Sequence, residues 1–120
     1  MKLLIIPTLN ESKNITTLFK KIKKVEQKLN ILFVDDNSTD GTREEILTLK
    51  KKNKSVYFIF RPKKLGIGSA HKDGLKYAYK KKYKTILTMD ADGTHNPKYI
   101  KNLLKISTKY DLISTNRFKQ

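Results

Sequence analysis

The sequence predicts a three-layer α/β/α fold built on a mainly parallel sheet. Three observations predict it. Strand-like and helix-like segments alternate strictly along the 120 residues. The strand segments are apolar runs without the alternation of a one-sided sheet, so helices are expected on both faces. The polar clusters fall directly after strands, where open parallel sheets bind their ligands.

Lys2 to Pro7 carries Leu3-Leu4-Ile5-Ile6 and reads as a buried strand ended by Pro7. Ile15, Leu18, Phe19, Ile22 and Val25 recur at helical spacing with lysines between them, and Ser12 and Asn14 are candidate caps. Asn30 to Asp35 is a second apolar strand, followed by turn residues Asn37, Ser38, Asp40 and Gly41. Thr42 and Glu45 have capping-box spacing ahead of a helix carrying Ile46, Leu47 and Leu49 to about Lys52. Ser55 to Phe60, rich in aromatic and β-branched residues, is a third strand, and Arg61 to Gly68 is a loop. The spacing predicts a third helix over Ser69 to Lys82, with Ala70, Gly74 and Ala78 as a small-residue stripe that permits close approach to the sheet. Thr85 to Met89 is a fourth strand. Pro97 opens a fourth helix with Ile100, Leu103, Leu104 and Ile106 inward, and Asp111 to Thr115 is a fifth strand.

Length and pattern predict one domain, residues 1–120, with no internal repeat or linker. The hydrophobic fraction of 38% suits a globular core. The absence of cysteine excludes disulfide staples and thiolate metal sites. The opening apolar run is too short for a signal peptide, and no stretch would span a bilayer, so the expected compartment is the cytoplasm.

The net charge of +16 comes from 27 Lys and Arg against 11 Asp and Glu. Such an excess favours anionic partners: nucleic acid, anionic lipid or phosphorylated substrates. It equally describes a solvated lysine face. The runs Lys20-Lys21-Ile22-Lys23-Lys24, Lys50-Lys51-Lys52 and Lys80-Lys81-Lys82 all fall late in predicted helices, where cations suit the helix dipole. The aromatics Tyr57, Phe58, Phe60, Tyr77 and Tyr79 read as core or flank, not as a base-stacking platform, so no nucleic-acid partner is expected.

The acids are more informative. Glu11, Asp35, Asp36, Asp40, Asp90 and Asp92 all end or follow strands. Right-handed crossovers bring these ends to one edge of the sheet. Asp90-Ala91-Asp92 offers two carboxylates that can aim at one hard cation, Mg2+ or Mn2+, which prefers oxygen ligands and leaves positions for phosphate oxygens. The same triplet also suits an Asx turn with a cap. Asp36 can accept a hydrogen bond from a nucleobase N–H, or serve the turn, a role that fits Asp40 better. Glu11 is either a helix cap or a ligand contact. Gly66-Ile67-Gly68 lacks the third glycine of the dinucleotide fingerprint, which excludes that cofactor site. His71 and His95 have no metal-ligand spacing.

Five ordered motifs carry a resemblance: Ile6-Pro7-Thr8-Leu9-Asn10-Glu11; Val34-Asp35-Asp36-Asn37-Ser38-Thr39-Asp40-Gly41-Thr42; Leu65-Gly66-Ile67-Gly68-Ser69-Ala70 running to Ala78; Met89-Asp90-Ala91-Asp92-Gly93; and Ser114-Thr115-Asn116-Arg117-Phe118. The chain resembles the family 2 glycosyltransferases of the GT-A fold, and looks most like their dolichyl- and polyprenyl-phosphate mannosyltransferases. The resemblance implies that Pro7, Leu9, Glu11, Asp36, Ala91 and Arg117 line a nucleotide-sugar site. It implies that Asp90 and Asp92 hold a divalent metal and the diphosphate. It implies an inverting transfer, with GDP-mannose as donor and a polyprenyl monophosphate as acceptor. Peripheral association with the cytoplasmic membrane face follows from such an acceptor. Leu9 stands where relatives often carry Tyr, and Gly93-Thr94-His95 replaces Leu-Gln-His. Relatives continue beyond Arg117 with an acceptor-binding segment, so the expectation here is a donor-binding half completed elsewhere or by a partner chain. Two other functions fit the resemblance: transfer of another sugar to a cell-envelope glycan, and nucleotide-sugar binding without catalysis.

Overall fold

The computed structural model describes residues 2–91 and the backbone of 112–114. Five strands, β1 (Lys2–Thr8), β2 (Asn30–Asp35), β3 (Val56–Phe60), β4 (Thr85–Thr88) and β5 (Leu112–Ser114), form one sheet in the order β3-β2-β1-β4-β5. Every pairing is parallel. The predicted fold class is therefore the observed one. Helix α1 (Ile15–Val25) joins β1 to β2, α2 (Thr42–Lys52) joins β2 to β3, and α3 (Ile67–Lys80) joins β3 to β4. The predicted fourth helix from Pro97 lies outside the described residues.

The strands are buried on both faces because two cores flank them. On one face Ile15, Leu18, Phe19, Ile22, Ile46 and Leu49 from α1 and α2 pack on Leu4, Ile6, Ile31, Phe33 and Leu87. On the other face Ala70 and Ala78 of α3 pack with Leu3, Ile5, Leu32, Val34 and Ile86. Alternate residues of β1 and β2 thus go to opposite cores, as the strand period requires. The chain steps from β1 outward through β2 to β3, then returns past β1 to β4. Right-handed crossovers taken in opposite directions put α1 and α2 on one face and α3 on the other. The order reverses between β1 and β4, and a cleft opens beyond the strand ends there.

The small-residue stripe of α3 is buried, as expected from Ala70, Gly74 and Ala78. A Cβ on Gly74 would lie 2.6 Å from Cγ2 of Ile5. Replacing a helical Gly by Ala ordinarily gains about 1 kcal/mol, but overpacking a core costs roughly 1–3 kcal/mol. Gly74→Ala is therefore expected to lower the melting temperature. Gly68→Ala, on the same helix with nothing within 4 Å of the added Cβ, should raise or preserve it. A rise in both would contradict the tight helix–sheet seam.

Element ends differ from the sequence reading in small ways with local causes. α3 begins two residues early, at Ile67, because Gly66 takes φ +97° and its carbonyl accepts the Ala70 N–H at 3.0 Å. It ends at Lys80, and Lys82 turns the chain at φ +63°. The capping box at Thr42 and Glu45 does not form. Gly41, at φ +97°, is the N-cap of α2; Thr42 donates its hydroxyl to Asp40, and Glu45 accepts from the Thr16 hydroxyl on α1 at 3.2 Å. Asn14 holds the N-cap position of α1 without a side-chain cap bond, and its amide donates instead to Glu11 Oε2 at 3.0 Å.

Candidate nucleotide-sugar cleft

The parallel register decides what meets at the strand ends. Thr8 of β1 pairs with Asp35 of β2, and Asp35 with Phe60 of β3. Backbone bonds extend the ladders: Asp36 N–H donates to Thr8 O, Arg61 N–H to Asp35 O, and Met89 N–H to Ile5 O. Residues 7–11, 35–42, 61–66 and 89–91 thereby share one rim. A cleft of about 220 Å³ opens in it. Pro7, Leu9 and Glu11 from the β1 end, Asp36 from the β2 end, and Asp90 and Ala91 from the β4 end all line this cleft. Lys64, Gly66 and Ile67 form the wall contributed by the β3–α3 loop. Asp92 and Arg117 lie outside the described residues.

The two adjacent aspartates have different environments. Asp35 is fully buried. It accepts from the Thr8 hydroxyl (2.6 Å), the Ser38 N–H (2.9 Å) and hydroxyl (2.6 Å), and Arg43 Nε (2.7 Å). Asp35 therefore locks β1, β2 and α2 together and leaves no face to the cleft. Burial pushes its carboxyl pKa up, but the hydrogen bonds from Ser38, Thr8 and Arg43 outweigh burial and hold it below the ordinary carboxylate value.

Asp36 points the other way. Its Oδ1 accepts the Leu65 N–H (2.8 Å) and its Oδ2 the Gly66 N–H (2.9 Å). Arg61 Nη1 lies 3.3 Å from Oδ1. Oδ2, with the Gly66 N–H alone, keeps a second acceptor direction, and Asp36 is part of the cleft lining.

Around the rim, loop is bonded to loop. Asn10 N–H donates to Ser38 Oγ (2.8 Å), and Thr39 N–H returns to Asn10 Oδ1 (2.9 Å). Glu11 N–H donates to Thr42 Oγ1 (2.9 Å) and Ser12 N–H to Asp40 Oδ2 (3.1 Å). Asn10 and Asn37 adopt left-handed backbone, which Asn tolerates through local hydrogen bonding. Asp40 does the turn chemistry expected of it. The hydroxyl of Thr42, with bonds from Ser12, holds its carboxyl down to about 2.

The sign of the pH dependence follows. Both Asp35 and Asp40 are more acidic folded than unfolded, so between their folded values and about 4 the unfolded chain binds more protons. Their contribution is present above about pH 4 and is lost as the pH falls toward 2. Thermal unfolding from pH 7 to 2 should therefore show a melting temperature that drops below about pH 4. The drop should be shallower in Asp40→Asn.

The Glu11 carbonyl accepts the Asn14 and Ile15 N–H groups at the start of α1, and the residue lines the cleft. His71 titrates below its ordinary value through burial, partly offset by the Asp90 carboxylate. The aromatics flank the sheet: Tyr57 contacts Tyr77 with centroids 6.2 Å apart, Phe58 contacts Phe60 at 4.4 Å, and Arg43 covers Phe60 at 4.8 Å. The rim network of Thr8, Arg43 and Arg61 was not singled out from the sequence. Its only signal was the clustering of charged and hydroxyl residues after strands.

Comparison with known proteins gives a consistent set. The family model described as glycosyl transferase family 2 matches residues 3–119. An undecaprenyl-phosphate mannosyltransferase from Micrococcus luteus is 32% identical over 115 residues, 96% of this chain and 47% of that protein. A polyprenol monophosphomannose synthase from Mycolicibacterium smegmatis is 35% identical over 104 residues, 85% of this chain and 39% of that protein. This chain thus spans less than half the length of either relative. Among solved structures, the mannosyltransferase PcManGT from Pyrobaculum calidifontis, in complex with GDP-Man and Mn2+, superposes with a TM-score of 0.67 at 24% identity, covering 76% of this chain and 27% of its own. TarS 1–349 from S. aureus gives 0.73 at 24% identity over 91% of this chain and 32% of its own. At these identities the structures show the shared fold.

Proposed function

Because the chain belongs to glycosyl transferase family 2, we propose that its cleft binds a nucleoside-diphosphate sugar, GDP-mannose, as the donor half of a polyprenyl-phosphate mannosyltransferase. One observation carries the reading: Pro7, Leu9, Glu11, Asp36, Asp90 and Ala91, drawn from three strand ends, line one cleft at the point where strand order reverses. The names of the two relatives support the sugar and the lipid-phosphate acceptor, and the ligands of PcManGT support the donor and a divalent ion.

In this reading Pro7 and Leu9 give the nucleoside an apolar wall. Glu11 accepts from hydroxyls, and Asp36 accepts from a base N–H with its remaining acceptor direction. A hard cation suits the donor present: Asp90 offers carboxylate oxygen at the cleft. Asp90 and Asp92 would hold Mg2+ or Mn2+, leaving positions for diphosphate oxygens and water. An ion held there would supply charge neutralisation for the departing diphosphate. Arg117 would add a planar fork to the same phosphates. The acceptor phosphate is already ionised near neutral pH, so the chain needs no strong general base. Its task is to align phosphate oxygen and anomeric carbon for inversion. The charge of +16 favours an anionic membrane carrying the acceptor. No helix among the described residues is long and apolar enough to cross a membrane.

Calorimetric titration of GDP- and UDP-sugars with and without Mn2+ tests the reading, which predicts metal-dependent binding. Absence of any metal-dependent affinity would end it. Transfer of radiolabelled mannose to polyprenyl phosphate tests the transferase step itself.

A further inference from the structure

Arg61 is a charged side chain only 2% exposed, at the C-terminal end of β3. It gathers four groups from three places. Nη1 lies 3.3 Å from Asp36 Oδ1 on the β2 end and donates to Gly66 O at 3.2 Å in the loop. Nη2 donates to Ser69 Oγ on α3, and Nε lies 3.3 Å from Asp73 Oδ2 one turn further along that helix. The family resemblance gave this residue no role.

We propose that Arg61 is a positioning residue for nucleobase selection, resting on the nucleotide-binding reading above. Asp36 accepts the N–H groups of Leu65 and Gly66 and is ion-paired with Nη1 of Arg61. Both N–H donors belong to a loop that Arg61 itself ties to α3, through Gly66 O and Ser69 Oγ. Removing the guanidinium therefore loosens Asp36 directly and through the loop at once. A carboxylate fixed in one orientation accepts a base N–H only along fixed directions, so it discriminates between base edges. One that can rotate discriminates less. Lysine keeps the charge but presents a point donor without the fork, so it cannot reach all four groups together.

The test compares GDP with UDP, each with Mn2+, by calorimetry on wild type, Arg61→Lys, Arg61→Gln and Gly74→Ala. The wild type should favour one nucleotide by about tenfold or more, a difference of about 1.4 kcal/mol. Arg61→Lys should bring the ratio to within about threefold of unity, and Arg61→Gln closer still. Gly74→Ala perturbs stability at the seam with Ile5 and replaces none of the four groups that Arg61 holds, so it should leave the ratio unchanged, which separates selection from mere loosening of the fold. Amide exchange at Leu65 and Gly66 gives a second readout in any variant that folds, and should accelerate in Arg61→Lys. If the wild type binds neither nucleotide, the nucleotide-binding reading fails and the proposal fails with it. If the wild type discriminates and Arg61→Lys keeps both the ratio and slow exchange at Leu65 and Gly66, the positioning role alone is overturned.

Discussion

Asp90→Asn is expected to weaken Mn2+-dependent nucleotide-sugar binding by roughly a hundredfold or more while leaving the melting temperature within a few degrees of wild type. A metal–carboxylate contact stabilises bound phosphate by several kcal/mol, and about 3 kcal/mol corresponds to that factor. The amide is nearly the same shape as the carboxylate, so packing at the β4 end should survive while the charge that attracts the cation is gone. Asp92→Asn should match it, because both carboxylates are assigned to one ion. Weak metal-independent affinity should remain in both variants from Pro7, Leu9, Glu11 and Asp36, which the proposed function places against the nucleoside and not the diphosphate. Equal affinity for wild type and Asp90→Asn at saturating Mn2+ would remove Asp90 from the site.

The largest effect on stability is expected at Asp35. Truncation by Asp35→Ala strands the Thr8 hydroxyl, the Ser38 N–H and hydroxyl, and Arg43 Nε in one step. Breaking a buried ion pair from one side costs about 3–5 kcal/mol, because the surviving charge is left without its partner. Domains of this size have only about 5–15 kcal/mol in total. Urea denaturation should therefore show a midpoint shifted far toward zero denaturant. Adding Arg43→Met to Asp35→Ala should recover part of the loss, since the stranded charge is then gone and the methionine still covers Phe60, which the guanidinium overlies at 4.8 Å. A loss below about 1 kcal/mol for Asp35→Ala would mean that the rim is held elsewhere.

The architecture was readable because its signal is strong: unbroken apolar runs such as Leu3-Leu4-Ile5-Ile6, and helical spacing in Ile15, Leu18, Phe19 and Ile22. Both survive tertiary packing because they are its cause. The convergence of Glu11, Asp36 and Asp90 was readable too, because parallel strands joined by right-handed crossovers have only one edge at which to end. What escaped was the identity of each polar partner. Asp35 and Asp36 are neighbours of one type, yet one is sealed in the fold and the other meets the loop. The period of two says they diverge without saying which faces the cleft. The capping spacing of Thr42 and Glu45 lost to long-range competition: Glu45 finds Thr16 on a neighbouring helix, and Thr42 is claimed by Asp40 and the Glu11 N–H. Arg61, beside Pro62 at the start of a lysine-rich loop, carried no sign of its partners. Only the meeting of β2, the loop and α3 makes it a buried hub.

The return of the chain past its first strand also dictates an order of events during synthesis. Lys2–Thr8 has β2 on one side and β4 on the other. A nascent chain that has emerged only through Phe60 can zip three strands together, but Lys2–Thr8, central in the finished sheet, then presents a naked flank of unpaired amides and carbonyls. Such a flank is a template for other chains. Residues 61–88 must leave the ribosome before Thr85–Thr88 can shield it. The strand that anchors the cleft is thus open to intermolecular pairing while translation is under way.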